Sequence, residues 1–115
     1  MKSVRFYGIR DTRVEDVDVP KILEKDDVII KVKVAGICGS DISKYSKTGP
    51  HMVGEILGHE FSGEVAQVGK EVRSFKIGDR VAVCPAMPCF ECDECKKGLY
   101  SRCNNVRSEE HTSEL

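Results

Sequence analysis

The stretch Val28-Ile29-Ile30-Lys31-Val32-Lys33-Val34-Ala35-Gly36-Ile37-Cys38 decides the fold class of this chain. Val28, Ile30, Val32 and Val34 recur at every second place, with Lys31 and Lys33 between them. A period of two built from β-branched residues predicts a strand with one buried face. Gly36 and Gly39 punctuate its end, and Ser40–Tyr45 reads as one helical turn with Ser40 at the N-cap. Working outward, Ser3–Tyr7, Arg13–Val17, Phe61–Val68 and Arg80–Cys84 are further strand candidates. Gly69 and Ile77-Gly78-Asp79 mark turns, and Ser46–Glu55, with Gly49-Pro50 and Gly54, reads as an exposed loop. Short strands, glycine turns and hardly any helix predict a mainly β fold, a small barrel or sandwich.

Composition narrows the classes further. The 115 residues fit one domain with a modest core. The formal net charge is −1 with acids and bases interspersed, which argues against a nucleic-acid footprint. No apolar run approaches the roughly 20 residues that span a bilayer, so no membrane partner is expected. Met1-Lys2-Ser3-Val4-Arg5 leads into a strand without an apolar signal-like segment. Six cysteines without such a segment point to a reducing, cytoplasmic setting.

Four of those cysteines, Cys89, Cys92, Cys95 and Cys103, are spaced C-x2-C-x2-C-x7-C. Two-residue gaps let neighbouring thiolates turn back onto one ion, so the spacing predicts a closed tetrahedral zinc site. A disulfide framework is the alternative, and it needs an oxidising compartment. A four-cysteine site has no open position, so it folds a loop and performs no chemistry. Cys38 lies just past the strongest strand, and His59 opens the next long one within Leu57-Gly58-His59-Glu60. A thiolate and an imidazole on strand ends supply two zinc ligands, one short of a catalytic set. Taken alone, Cys38 reads as a small buried hydrophobe and His59 as a satisfied core histidine. Cys84 reads as a buried core cysteine, and His51 as a loop residue. No G-x-G-x-x-G follows a strand, so no dinucleotide site is expected within this chain.

Gly36-Ile37-Cys38-Gly39-Ser40-Asp41, Gly58-His59-Glu60-x-x-Gly63-x-Val65, Gly78-Asp79-Arg80-Val81 and the four spaced cysteines occur in that order. Together they resemble the zinc-containing medium-chain dehydrogenases, which include alcohol, sorbitol, threonine and related polyol dehydrogenases. Pro88–Cys92 and Gly98–Cys103 look most like the sugar-alcohol and sugar-alcohol phosphate members. The resemblance implies a GroES-like, partly open β-barrel with a zinc-binding lobe, incomplete in this chain. It implies two Zn2+ ions: a catalytic one on Cys38 and His59, and a structural one on Cys89, Cys92, Cys95 and Cys103. Ser40 matches the hydroxyl that hands on the substrate's proton, and Asp41 the carboxylate that orients the histidine ligand. Glu60 matches a residue beside the catalytic zinc. The implied reaction is hydride transfer from a small-molecule alcohol or polyol to the nicotinamide of NAD(P), by a homo-oligomeric parent. In the family, the third catalytic ligand and the nicotinamide-binding domain come later in the sequence than any residue here.

Arg107-Ser108-Glu109-Glu110-His111-Thr112-Ser113-Glu114-Leu115 resembles the conceptual translation of a sequencing adapter. The expected division is therefore 1–106 as the N-terminal part of the catalytic domain and 107–115 as an adapter-derived tail. Two other readings compete. A zinc-bound binding module without catalysis leaves Cys38, Ser40 and Gly58-His59-Glu60 without purpose. A zinc-free quinone-reductase-like relative would lack both cysteine-bearing motifs.

Overall fold

The computed structural model describes residues 1–108, which divide into two compact units, Met1–Val83 and a second beginning at Cys84. The expected tail lies outside the described residues from position 109 onward.

The first unit contains two three-stranded antiparallel sheets. In one, β1 (Lys2–Gly8) lies between β2 (Asp11–Asp16) and β4 (Glu55–Ile56). A two-residue turn joins β1 to β2, and Arg10 takes a left-handed φ of 59° there. In the other, β5 (Phe61–Val68) lies between β3 (Val28–Ala35) and β6 (Arg80–Val83). The chain is mostly strand and the sheets are open; no closed barrel forms among the described residues.

The two long strands have the bounds expected from the sequence, yet the apolar face of β3 departs from expectation. Val32 and Val34 are 51% and 64% exposed rather than buried. Alternation specifies which residues share a face, and another element must then cover that face. None of the described elements does so for Val32 and Val34. The register also slips between Ile29 and Ile30 and between Val32 and Val34, so strict alternation is lost along the pair. Phe6 in β1 and Val65 in β5 are the fully buried side chains of the described core.

Close strand packing makes one glycine necessary. Gly63 in β5 sits opposite Val32, and a β-carbon there would overlap the Lys31 carbonyl oxygen and stand 2.9 Å from Ile30 Cγ2. The turn entering β3 is held by Asp27, whose carboxylate accepts the N–H groups of Leu23 and Glu24, each at 2.8 Å. Those two backbone donors stabilise the anion and hold the Asp27 pKa below its ordinary value.

Ser46–Glu55 is not wholly an exposed loop. The helical turn α1 (Gly39–Ser43) continues directly into a π-helical turn over Lys44–Thr48, and Glu55 opens β4. The second unit holds the two-stranded ribbon β7 (Ala86–Met87) with β8 (Arg107–Ser108), the short helix α2 (Asp93–Lys96) and a 3-10 turn over Tyr100–Arg102. No helix among the described residues is long and apolar enough to cross a membrane.

Candidate metal centres

The first centre is built where β3 ends and β5 begins. Beyond Ala35 the chain leaves the sheet, but Gly36 N–H still donates to the Glu60 carbonyl at 2.7 Å, which keeps the two segments side by side. Cys38 is extended (φ −83°, ψ 160°) and takes the N-cap of α1, the place expected for Ser40. The cap exchange explains the shift: Asp41, three residues on, accepts the Cys38 N–H at 2.8 Å through Oδ2. Asp41 is therefore buried, at 5% exposure, inside a one-turn helix.

That burial turns Asp41 toward His59. Its Oδ1 lies 3.4 Å from His59 Nδ1, and the imidazole is only 10% exposed. On the other side of the ring, Nε2 faces Ser40 Oγ at 3.3 Å. A carboxylate at Nδ1 favours a proton there and leaves the Nε2 lone pair as the donor. Cys38, His59 and Glu60 each offer one ligand atom, and the three atoms lie within 4.8 Å of one another. A sulfur, a nitrogen and an oxygen donor so placed fit a three-ligand zinc set with an open position. Spacing alone gave two of these donors; the structure brings Glu60 to the same point.

The second centre lies wholly in the second unit. Cys89, Cys92, Cys95 and Cys103 bring their sulfurs within 4.8 Å of one another, and all six cysteines of the chain are free thiols. Phe90 takes a left-handed φ of 60°, which reverses the chain between Cys89 and Cys92. α2 starts from Cys92 and carries Cys95 inward, and Gly98, at φ 78°, follows it. Backbone N–H groups then point at sulfur: Cys92 N–H at Cys89 Sγ (3.4 Å), Cys89 N–H at Cys103 Sγ (3.3 Å) and Asn105 N–H at Cys103 Sγ (3.3 Å).

These donors favour thiolate. The backbone N–H groups of Glu91 and Cys92 pull the Cys89 pKa down to about 6, and those of Cys95 and Asn104 lower that of Cys92. Burial instead pushes Cys95 up to about 12. Two thiols primed for ionisation beside one that resists it is a set that a dication would complete, since the positive charge offsets the desolvation of the buried sulfur. Phe90 and Tyr100, both exposed, meet in this lobe in an edge-to-face ring contact, centroids 5.5 Å apart. Four soft donors in a closed cluster fit a structural zinc.

Two other sequence readings meet the structure differently. Cys84 is exposed, not a buried core cysteine, because it lies just past the end of β6. His51 is exposed in the turn before β4. One feature was invisible in the sequence: Lys44 and Glu55 form a mostly buried ion pair, Nζ to Oε1 at 3.7 Å.

The comparisons with known proteins follow the same lines. The family described as alcohol dehydrogenase GroES-like domain matches residues 24–112. The sorbitol dehydrogenase of Bacillus subtilis (strain 168) is 44% identical over 111 residues, which is 93% of this chain and 31% of that enzyme. The crystal structure of galactitol-1-phosphate dehydrogenase from Escherichia coli superposes with a TM-score of 0.83 at 42% identity, over 94% of this chain and 31% of its own. The apo form of zinc dependent alcohol dehydrogenase 2 from Streptococcus pneumonia gives 0.74 at 36% identity, over 91% of this chain and 30% of its own. The chain thus spans about a third of the length of these relatives. Matched across well over half its length, and folded as its relatives are, the chain belongs to the alcohol dehydrogenase GroES-like domain family.

Proposed function

We propose that this chain supplies the metal-binding part of a zinc-dependent, NAD(P)-linked dehydrogenase acting on a small alcohol, with a polyol or polyol phosphate as the favoured substrate class. The observation that carries the reading is the meeting of Cys38, His59 and Glu60 with Asp41 behind the imidazole. The named relatives, a sorbitol and a galactitol-1-phosphate dehydrogenase, support the substrate class.

In this reading Cys38 and His59 hold the catalytic zinc with Glu60 beside them, and Cys89, Cys92, Cys95 and Cys103 hold the structural one. Zinc at the first centre supplies Lewis acidity, which lowers the pKa of an alcohol hydroxyl. Asp41 keeps the His59 proton on Nδ1 and fixes the ring plane. Ser40 presents a hydroxyl 3.3 Å from Nε2, at the edge of the donor set, where it can accept a proton and pass it outward. The Cys38 backbone, anchored by its own N–H to Asp41, is held beside the imidazole. Hydride acceptance belongs to a nicotinamide, which the rest of the parent enzyme binds. A homo-oligomeric parent in the cytoplasm belongs to the same reading, as does the origin of 107–115 in a sequencing adapter.

The test is to recover the source reading frame across the Val106–Arg107 junction and express what it encodes. The expected product carries two zinc ions per chain and reduces NAD+ or NADP+ with a polyol or polyol phosphate, whereas the 115-residue chain alone is inactive. A full frame that binds only the lobe zinc, or that oxidises no alcohol, would overturn the reading.

A further inference from the structure

We propose that Gly36 is a positioning residue for Glu60, and that its missing β-carbon is what lets the Glu60 carboxylate reach Cys38 and His59. The inference rests on the proposed metal reading of that trio and adds to it the residue that sets the third donor's reach. The Gly36 N–H donates to the Glu60 carbonyl at 2.7 Å, so the two backbones cannot drift apart or slide. Against that fixed contact the Glu60 side chain folds over Gly36. A β-carbon at position 36 would stand 3.1 Å from Glu60 Oε2, 3.3 Å from Glu60 Cβ and 3.6 Å from its carbonyl oxygen. The first two separations are below an ordinary carbon contact of about 3.5–4.0 Å. The Glu60 Cβ yields only by a small shift of backbone, whereas the carboxylate is the far end of a flexible side chain and relieves its own contact by rotating out of its place beside Cys38 and His59.

The backbone itself does not require glycine here, since Gly36 is absent from the left-handed positions of the chain. Alanine at 36 therefore acts through its methyl group and not through backbone strain. Gly39 gives the contrast: it lies next to Cys38, yet a β-carbon there meets nothing within 4 Å. Two glycines flank the same ligand, and only one of them makes room for a donor.

The experiment fills the four-cysteine lobe of the full-frame product with zinc and titrates cobalt as the second equivalent, following the sulfur-to-cobalt charge-transfer and visible bands. Gly36→Ala is expected to weaken cobalt binding about tenfold, the lower end of losses seen when a ligand's support is removed. Glu60→Ala should weaken it at least as much, and Gly39→Ala should leave it unchanged. The double variant Gly36→Ala, Glu60→Ala should bind no more weakly than Glu60→Ala, because the two changes act through one side chain. A second double variant, Gly36→Ala with Glu60→Gly, removes both the Oε2 and the Cβ contacts, so it remains informative should Gly36→Ala alone fold poorly. Binding by Gly36→Ala equal to wild type, or an equal further loss in the Glu60→Ala background, would overturn the inference. A full-frame product, its lobe filled, that takes up no second equivalent would instead overturn the metal reading itself.

Discussion

Asp41 and His59 meet as a buried carboxylate and a nearly buried imidazole, Oδ1 to Nδ1 at 3.4 Å, with the second carboxylate oxygen occupied by the Cys38 N–H. One side chain therefore meets both the imidazole of the nitrogen donor and the backbone of the sulfur donor. Replacing it with Asn keeps the size and an acceptor but removes the charge. Asp41→Asn is expected to lower zinc affinity at this centre by about 10–100-fold. Asp41→Ala should lose more, because the Cys38 N–H also loses its partner. Competitive zinc titration of both variants checks the order, and equal affinities in wild type and Asp41→Asn would refute the role.

In the metal-free chain the lobe thiols should react in a fixed order. The thiolate is the nucleophile, and Cys89 ionises as pH rises through about 6. Cys95 remains a thiol until about 12. Alkylation followed by peptide mass spectrometry should label Cys89 ahead of Cys95 at pH 7, with the Cys89 rate falling below pH 6. Saturating zinc should protect both residues. Cys95 modified first would contradict the backbone-to-sulfur geometry.

The Lys44–Glu55 pair makes an asymmetric prediction. Glu55 Oε1 has no hydrogen-bond partner among the described residues, and the Lys44 ammonium at 3.7 Å is its nearest compensation. Lys44→Met should destabilise the first unit by about 3–5 kcal/mol, the usual cost of stranding one buried charge. Lys44→Met with Glu55→Leu should return to within about 1 kcal/mol of wild type, since the charge to be desolvated is gone. Urea unfolding of wild type, Lys44→Met, Glu55→Leu and the double variant separates these outcomes, and single-variant losses that simply add would exclude the coupling.

Gly63→Ala should be among the more damaging small substitutions. The added methyl meets the Lys31 carbonyl, a backbone atom fixed in the β3–β5 ladder, so the strands must separate or shift. Overpacking of this kind costs about 1–3 kcal/mol. A urea midpoint unchanged at constant m-value would show that the two strands have slack.

The long strands were legible because their pattern is local. Val28–Ala35 comes from the alternation itself and Phe61–Val68 from a run closed by Gly69, and their bounds match. β4 was not legible, since Glu55–Ile56 is too short to show a period and forms only by pairing with Arg5 and Phe6, about 50 positions earlier. The Cys38 N-cap was missed because Ser40 is the commoner capping residue, while the deciding contact is Asp41 reaching back. The cysteine lobe reads directly from spacing, for its ligands lie within one short loop. Cys38 and His59 do not: their meeting depends on where β3 ends and β5 starts, and only the surrounding motif words betray it. Glu60's approach depends on an empty space at Gly36, and spacing carries no information about space.

β3 has one further consequence. It is one of the two outer strands of its sheet among the described residues, eight residues long, with Val32 and Val34 exposed. Such an edge is a template on which another extended chain can add by hydrogen bonding, and apolar side chains strengthen the match. Lys31 and Lys33 interrupt it, and a second copy laid against this edge would bring like charges together. Lysines at a strand edge disfavour edge-to-edge pairing, so the two residues that first helped to reveal the strand also work against its addition to a second copy.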